Sequence, residues 1–376
     1  MKIVYCIPTT YYHGGIERVL ANKVNALIER GHDVYIVTTD QVGKDPYFPM
    51  RSEIKHIDLA VNYYNHSRWL IVELFNYFHK RYLHRKRLSK LLITIEPDIT
   101  ISMFHHEKGF LPKIKDRSKK ICEFHFCKQW RIDKSSYGLR HIWNRYWFSH
   151  TEKVLQQYDK FVLLTEKDRQ DWNMPNSLVI SNSSPFKVVI EDSTKRTKKA
   201  IAIGRLTYQK GFDLLIRIWE QVHTKIPDWQ LEIIGSGELL ADLQNLMYEK
   251  GLQTSIIMTP ATHNIHEKYQ EASMLLMTSR FEGLPMVLIE AQEYSLPVIS
   301  FDCPCGPSDI IHHGINGFLI SEGDLSDFAD KIELLAHDDT LRHLMGIQGK
   351  KNAENFSEQM VMNQWEILFA ELTNQC

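Results

Sequence analysis

The chain has 376 residues, more than one hydrophobic core ordinarily serves, so two domains are expected. With 43% hydrophobic and 24% charged residues it composes as a globular protein, which excludes a disordered or fibrous chain. The net charge of −1 hides an asymmetry: residues 1–190 hold 30 Lys and Arg against 19 Asp and Glu (+11), and the remainder 15 against 27 (−12), so the halves face different partners. No run approaches the roughly 18 apolar residues that a membrane span needs. The start, MKIVYCIPTT, is too short an apolar run for a secretion signal and reads as a first strand. With six cysteines in a chain of this length, a reducing cytosol is the expected compartment.

In chain order, KIVYCI reads as a strand and PTTYYHGG as a loop. IERVLANKVNALIERG is a helix whose Ile16, Val19, Leu20, Val24 and Leu27 recur at helical spacing before the stop at Gly31. DVYIVTTD then completes a βαβ unit, the building block of parallel sheets. Further strands are predicted at 98–104, 120–126, 160–165 and 178–184. The polar seam SPFKVVIEDSTKRTKK reads as a linker. After it the alternation restarts, with strands at 199–206, 229–237, 255–260, 274–279, 296–302 and 317–321 and a helix at 213–225. The expected domains are 1–184 and 185–356, with a last helix over 357–376 that packs on one of them.

Doubly wound sheets bind ligands at the carboxyl ends of their strands, so the chemistry is sought there. GRLTYQKGF places Arg205 and Lys210 in one strand-to-helix loop, a fork and a point charge suited to a diphosphate, or else two ordinary surface residues. SRFEGLPMVLIEA places Glu282 in a loop and Glu290 on the helix that Pro285 opens. The amides at that helix start form an anion site, and a carboxylate on the helix can accept from a vicinal diol such as a ribose. Spacing alone leaves a plainer reading open, with Glu282 an N-terminal helix acid and Glu290 an exposed helix residue. Gly14 and Gly15 let the backbone approach a ligand at the first helix, or merely form a tight turn. Cys303 and Cys305 have no matching second pair, so no zinc site is expected. The basic runs RYLHRKRLSK and KIKDRSKK, which include Arg85, Lys86, Arg87, Lys119 and Lys120, admit three uses: a solvated face, nucleic acid, or an anionic membrane.

Together these motifs make the chain resemble glycosyltransferase family 4, in the branch found in bacterial capsule, O-antigen and exopolysaccharide synthesis. The basic pair is Arg205 and Lys210, the E-x7-E element is Glu282 to Glu290, and GGIERV and SFDCPCGPSDIIHHGINGFLI support the match. The resemblance implies an α/β protein of the GT-B fold, two Rossmann-like doubly wound domains facing each other across a cleft. It implies a retaining, metal-independent hexosyltransferase with no cofactor, moving a sugar from a nucleotide sugar, expected to be UDP-linked, to a saccharide or lipid-linked saccharide. Glu290 would hold the ribose. Gly14, Gly15, Gly283 and Leu284 would line the donor site, and Arg205 and Lys210 would hold the diphosphate. Glu282 and His125 would stand beside the donor sugar, with His105 and His106 competing for the place of His125. For the basic face the resemblance favours an anionic membrane over nucleic acid, giving a cytoplasmic enzyme peripheral on the inner face of the cell membrane. The alternatives are an epimerase-type enzyme of the same fold and a non-catalytic nucleotide-sugar-binding protein.

Overall fold

A computed structural model describes residues 1–65, 70–128, 150–184, 196–262 and 264–373, with the side chains of 70, 71 and 74 excepted. The chain divides into two compact units, Met1–Ser183 with Glu358–Cys376, and Ser184–Ser357. Most of the polar seam, 185–195, lies outside the described residues.

The first unit is built on a seven-stranded parallel sheet in the order β3-β2-β1-β4-β5-β6-β7. Its strands are β1 (Lys2–Cys6), β2 (Asp33–Thr38), β3 (Lys55–Asp58), β4 (Ile99–Ser102), β5 (Lys119–Glu123), β6 (Lys160–Leu163) and β7 (Ser177–Val179). Central strands such as ITIS bury every residue, as a sheet covered on both faces requires. Helix α1 (Gly15–Glu29) buries Leu20, Val24 and Leu27 against Ile3 and Tyr5 of β1. The same core takes Val361, Trp365 and Phe369 of the C-terminal helix, which spans Glu358–Thr373. That burial is what assigns the end of the chain to the first unit.

The second unit carries a six-stranded parallel sheet in the order β10-β9-β8-β11-β12-β13. Here β8 is Lys199–Ile203, β9 Gln230–Ile234, β10 Ile256–Thr259, β11 Met274–Met277, β12 Val298–Phe301 and β13 Gly317–Ile320. In both sheets the chain winds outward from the first strand in one direction and then returns to wind in the other. The order therefore reverses between β1 and β4, and between β8 and β11, and ligands of doubly wound sheets bind at such reversals.

The strands are shorter than the sequence reading made them. β5 stops at Glu123, so His125 lies two residues beyond the strand and not at its end. The edge strand β3 and helix α2 (Leu70–Ile95) were not among the predicted elements. A short polar edge strand has little apolar alternation to betray it, and the burial of β3 is correspondingly incomplete. The basic runs are not uniformly exposed. Lys120 is 4% exposed and its ammonium is bound by Asp116 and by Ser118, so it faces no partner. Lys119 lies 3.8 Å from Asp159. Arg87 donates to the carbonyls of Leu59 and Ala60. Arg85, Lys86 and Lys90 remain exposed on α2.

Candidate functional site

Two loops meet where the second sheet reverses. One leaves β8 and runs through Gly204 to Lys210 into helix α3 (Phe212–Val222); the other leaves β11 and runs through Ser279 to Pro285 into helix α4 (Met286–Glu293). Gly211, at φ 64°, joins the first loop to its helix, and a Cβ there would run into the carbonyl of Thr278. Only glycine both accepts that backbone and lets the loops come so close. Arg280 then clamps them together. Its guanidinium donates to both carboxylate oxygens of Asp213, at 2.9 and 2.7 Å, and to the carbonyl of Tyr208 at 2.8 Å, and it lies over the Tyr208 ring. A bidentate arginine–carboxylate pair fixes orientation as well as distance.

The clamp brings two of the predicted residues into contact. Lys210 Nζ donates to Glu282 Oε1 at 2.6 Å, with side-chain exposures of 16% and 7%. An ammonium has three donors, so this bond leaves two for another anion. Arg205 is exposed and makes no side-chain hydrogen bond or ion pair among the described residues. Gly283 and the buried Leu284 follow Glu282 directly. Gly306, at φ 94°, packs so close to the Gly283 carbonyl and to Pro285 that a side chain would displace the start of α4.

Glu290 is not an exposed helix residue. It is 5% exposed, and Tyr269 Oη donates to its Oε2 at 2.6 Å, from a ring stacked on Tyr294. A buried carboxylate that keeps such a donor is held in one rotamer. One turn on, Glu293 accepts from Ser184 Oγ at 2.5 Å. Burial, with the neighbouring Glu290 adding to it, pushes the Glu293 carboxyl up to about 7, against the pull of Ser184.

In the first unit Gly14 is the N-cap of α1 and Gly15 its first residue. A Cβ at Gly15 would meet open space, and one at Gly14 only the side chain of Glu17. His125 is 3% exposed at its side chain, with Nε2 3.1 Å from Glu123 Oε1. Its rivals are occupied otherwise. His106 stacks on Tyr63 at 3.9 Å, and the amide of His105 turns onto Glu107. Tyr269, Asp213, Arg280 and Glu123 escaped the sequence reading. Arg280 stands in the same SRFE stretch as Glu282, but nothing in the sequence pairs it with an aspartate 67 residues away.

The family described as Glycosyltransferase Family 4 matches residues 13–174, and the one described as Glycosyl transferases group 1 matches 185–352. The chain is 28% identical to the amylovoran biosynthesis glycosyltransferase AmsD of Erwinia amylovora, over 97% of this chain and 98% of that one. It is 25% identical to the lipopolysaccharide 1,6-galactosyltransferase of Salmonella typhimurium, covering 87% and 88%. Among solved structures, a mutant of S. aureus TarM in complex with fondaparinux, α-GlcNAc-glycerol and UDP superimposes with a TM-score of 0.74. The two share 18% identity, and the alignment covers 98% of this chain and 99% of that one.

Proposed function

From a chain that belongs to glycosyltransferase family 4 and has the GT-B fold, we propose a retaining, metal-independent transfer of a sugar from UDP to a saccharide or lipid-linked saccharide during surface-polysaccharide synthesis. The observation that carries this reading is the Lys210–Glu282 contact at the strand-order reversal, with the buried Glu290 on the helix that follows. The amylovoran and lipopolysaccharide relatives support the polysaccharide assignment, and the UDP held by TarM supports the nucleotide.

Each group has a role in the proposed reaction. As the bond between the sugar and the diphosphate breaks, the leaving phosphate gains charge. The free donors of Lys210 and the fork of Arg205 meet that charge, an electrostatic effect worth about 3 kcal/mol where one such donor is removed. Glu290 accepts from the ribose hydroxyls, and Glu282, at the other side of Lys210, contacts the sugar. The test is transfer of radiolabelled sugar from UDP-sugars to saccharide acceptors in the presence of EDTA, with the anomeric configuration of the product read by NMR. Label should move with retention and without added metal. Loss of turnover on chelation with rescue by manganese, or release of an epimerised sugar nucleotide and no transfer, would refute the proposal.

No helix among the described residues is long and apolar enough to cross a membrane. We propose instead that the first unit rests on anionic lipid through α2. Its outer face exposes Phe75, Phe78 and Tyr82 (72%, 60% and 62%), followed by Arg85, Lys86 and Lys90. Phe75, Phe78, Tyr82 and Lys86 fall on one side of the helix, and Arg85 borders the stripe of the buried Leu88 and Leu92. Rings that enter the headgroup layer and cations worth about 1 kcal/mol each near an anionic surface suit such a support. Phosphatidylglycerol liposomes should carry the protein in flotation, phosphatidylcholine liposomes should not, and raised salt should release it. Equal recovery on both lipids would leave α2 as a solvated face.

A further inference from the structure

The first unit buries a line of three charges and potential charges that the site residues discussed above do not explain. Glu123, the last residue of β5, has a side chain with no exposure, and its Oε1 is shared. Lys23 Nζ of α1 donates to that oxygen, and His125 Nε2 lies 3.1 Å from it, off the line of a hydrogen bond. Lys23 is itself buried, its ammonium 4.3 Å from the centre of the Trp365 ring on the C-terminal helix. Tyr5 of β1 is a further titratable group on the Glu123 side of the sheet among the described residues. Burial works to raise the Glu123 carboxyl, but Lys23 and, after it, His125 outweigh burial and hold it at about 2. Burial in turn pushes the Lys23 ammonium down, against the pull of Glu123.

Such an arrangement is a poor device for stability alone. Taking each ion out of water costs several kcal/mol, and well-packed apolar residues often serve as well. The third member sets it apart. His125 follows the carboxyl end of β5, on the side of the sheet where ligands bind. In an uncharged imidazole one nitrogen donates and the other accepts, and the partner of one decides the role of the other.

We infer that Glu123 is a positioning residue: its charge, 3.1 Å from Nε2 of His125, favours the proton on that nitrogen and so sets the tautomer, with Nδ1 the acceptor offered to a substrate hydroxyl. Lys23 keeps the carboxylate charged for this task and ties it to α1, the helix that Gly14 and Gly15 begin. The inference rests on the reading of His125 as a substrate contact.

Removing Glu123 alone would strand a buried ammonium and endanger the fold, so the test pairs the changes as Lys23→Met with Glu123→Gln. In the folded double variant, kcat should fall about 10- to 100-fold, as when the group orienting a ligand is lost, with donor KM within about threefold. The pH profile of kcat should move as well, which a merely structural pair would not do. Histidine-selective 15N NMR of the wild-type protein, with the His125 signal assigned by His125→Asn, should show the Nε2–H tautomer. That second measurement decides the matter even if the double variant fails to fold. An Nδ1–H tautomer, or a wild-type kcat and pH profile in the double variant beside an inactive His125→Ala, overturns the inference and leaves the role of His125 intact. Full activity in His125→Ala would instead remove that role, and the inference with it.

Discussion

Replacing Arg205 and Lys210 together by alanine should weaken UDP binding about 100-fold, because two charged contacts are lost and each tenfold corresponds to about 1.4 kcal/mol. The two residues should differ in what else they disturb. Arg205 is exposed and unpaired among the described residues, so Arg205→Ala should lower affinity and leave thermal stability unchanged. Lys210 is the ionic partner of a carboxylate only 7% exposed. Its removal leaves Glu282 buried without its cation, a change that costs about 3–5 kcal/mol where the pair is fully enclosed and less here, where the lysine still touches water. Lys210→Ala should therefore lose both affinity and melting temperature. Calorimetry with UDP, read beside thermal unfolding, separates the two effects. Unchanged affinity in the double variant would mean that the diphosphate is held elsewhere.

How far the sequence foretold this site depended on how local each feature was. The βαβ alternation was legible because parallel strands covered on both faces are nearly continuous apolar runs, as MLLM and VISF are. The loop after β8 and the loop after β11 were legible for the same reason, each being the turn that ends such a run. The contacts between those loops were not. Arg280 and Asp213, Tyr269 and Glu290, and Lys23 and Glu123 are 67, 21 and 100 residues apart. No periodicity connects residues at such separations; the winding of the sheet does. The burial of Glu290 was hidden as well. Helix α4 has no polar face for contrast, with Leu288, Ile289, Glu290, Ala291 and Gln292 all buried in succession, so amphipathic spacing could not tell an exposed acid from an enclosed one. The basic run 113–120 misled for a related reason. Charge counted along the chain does not distinguish Lys86, which reaches water, from Lys120, whose ammonium is enclosed beside Asp116.

The two glutamates should fail in opposite ways when each becomes glutamine. In Glu290→Gln the amide oxygen can still accept from Tyr269 Oη, so the helix keeps its packing. What is lost, on the role proposed for Glu290, is the charge on its hydrogen bonds to the ribose, about 1 kcal/mol or a little more. The ribose is bound equally in the ground state and the transition state, so the loss should appear as a donor KM about tenfold higher with kcat nearly unchanged. In Glu282→Gln the amide oxygen can still accept from Lys210, but the negative charge beside that ammonium disappears. Lys210 is then the more available to the diphosphate, so UDP should bind as tightly as before or more tightly. The sugar, however, develops positive charge as its bond to the leaving group breaks, and a neutral amide no longer meets it. The penalty falls on the transition state alone, so kcat should drop about 100-fold, or about 2.7 kcal/mol. Steady-state kinetics with the donor varied, together with UDP calorimetry on both variants, reads all four quantities. Weaker UDP binding in Glu282→Gln, or equal effects on kcat and KM in both variants, would show that the carboxylates do not divide the donor between ribose and sugar.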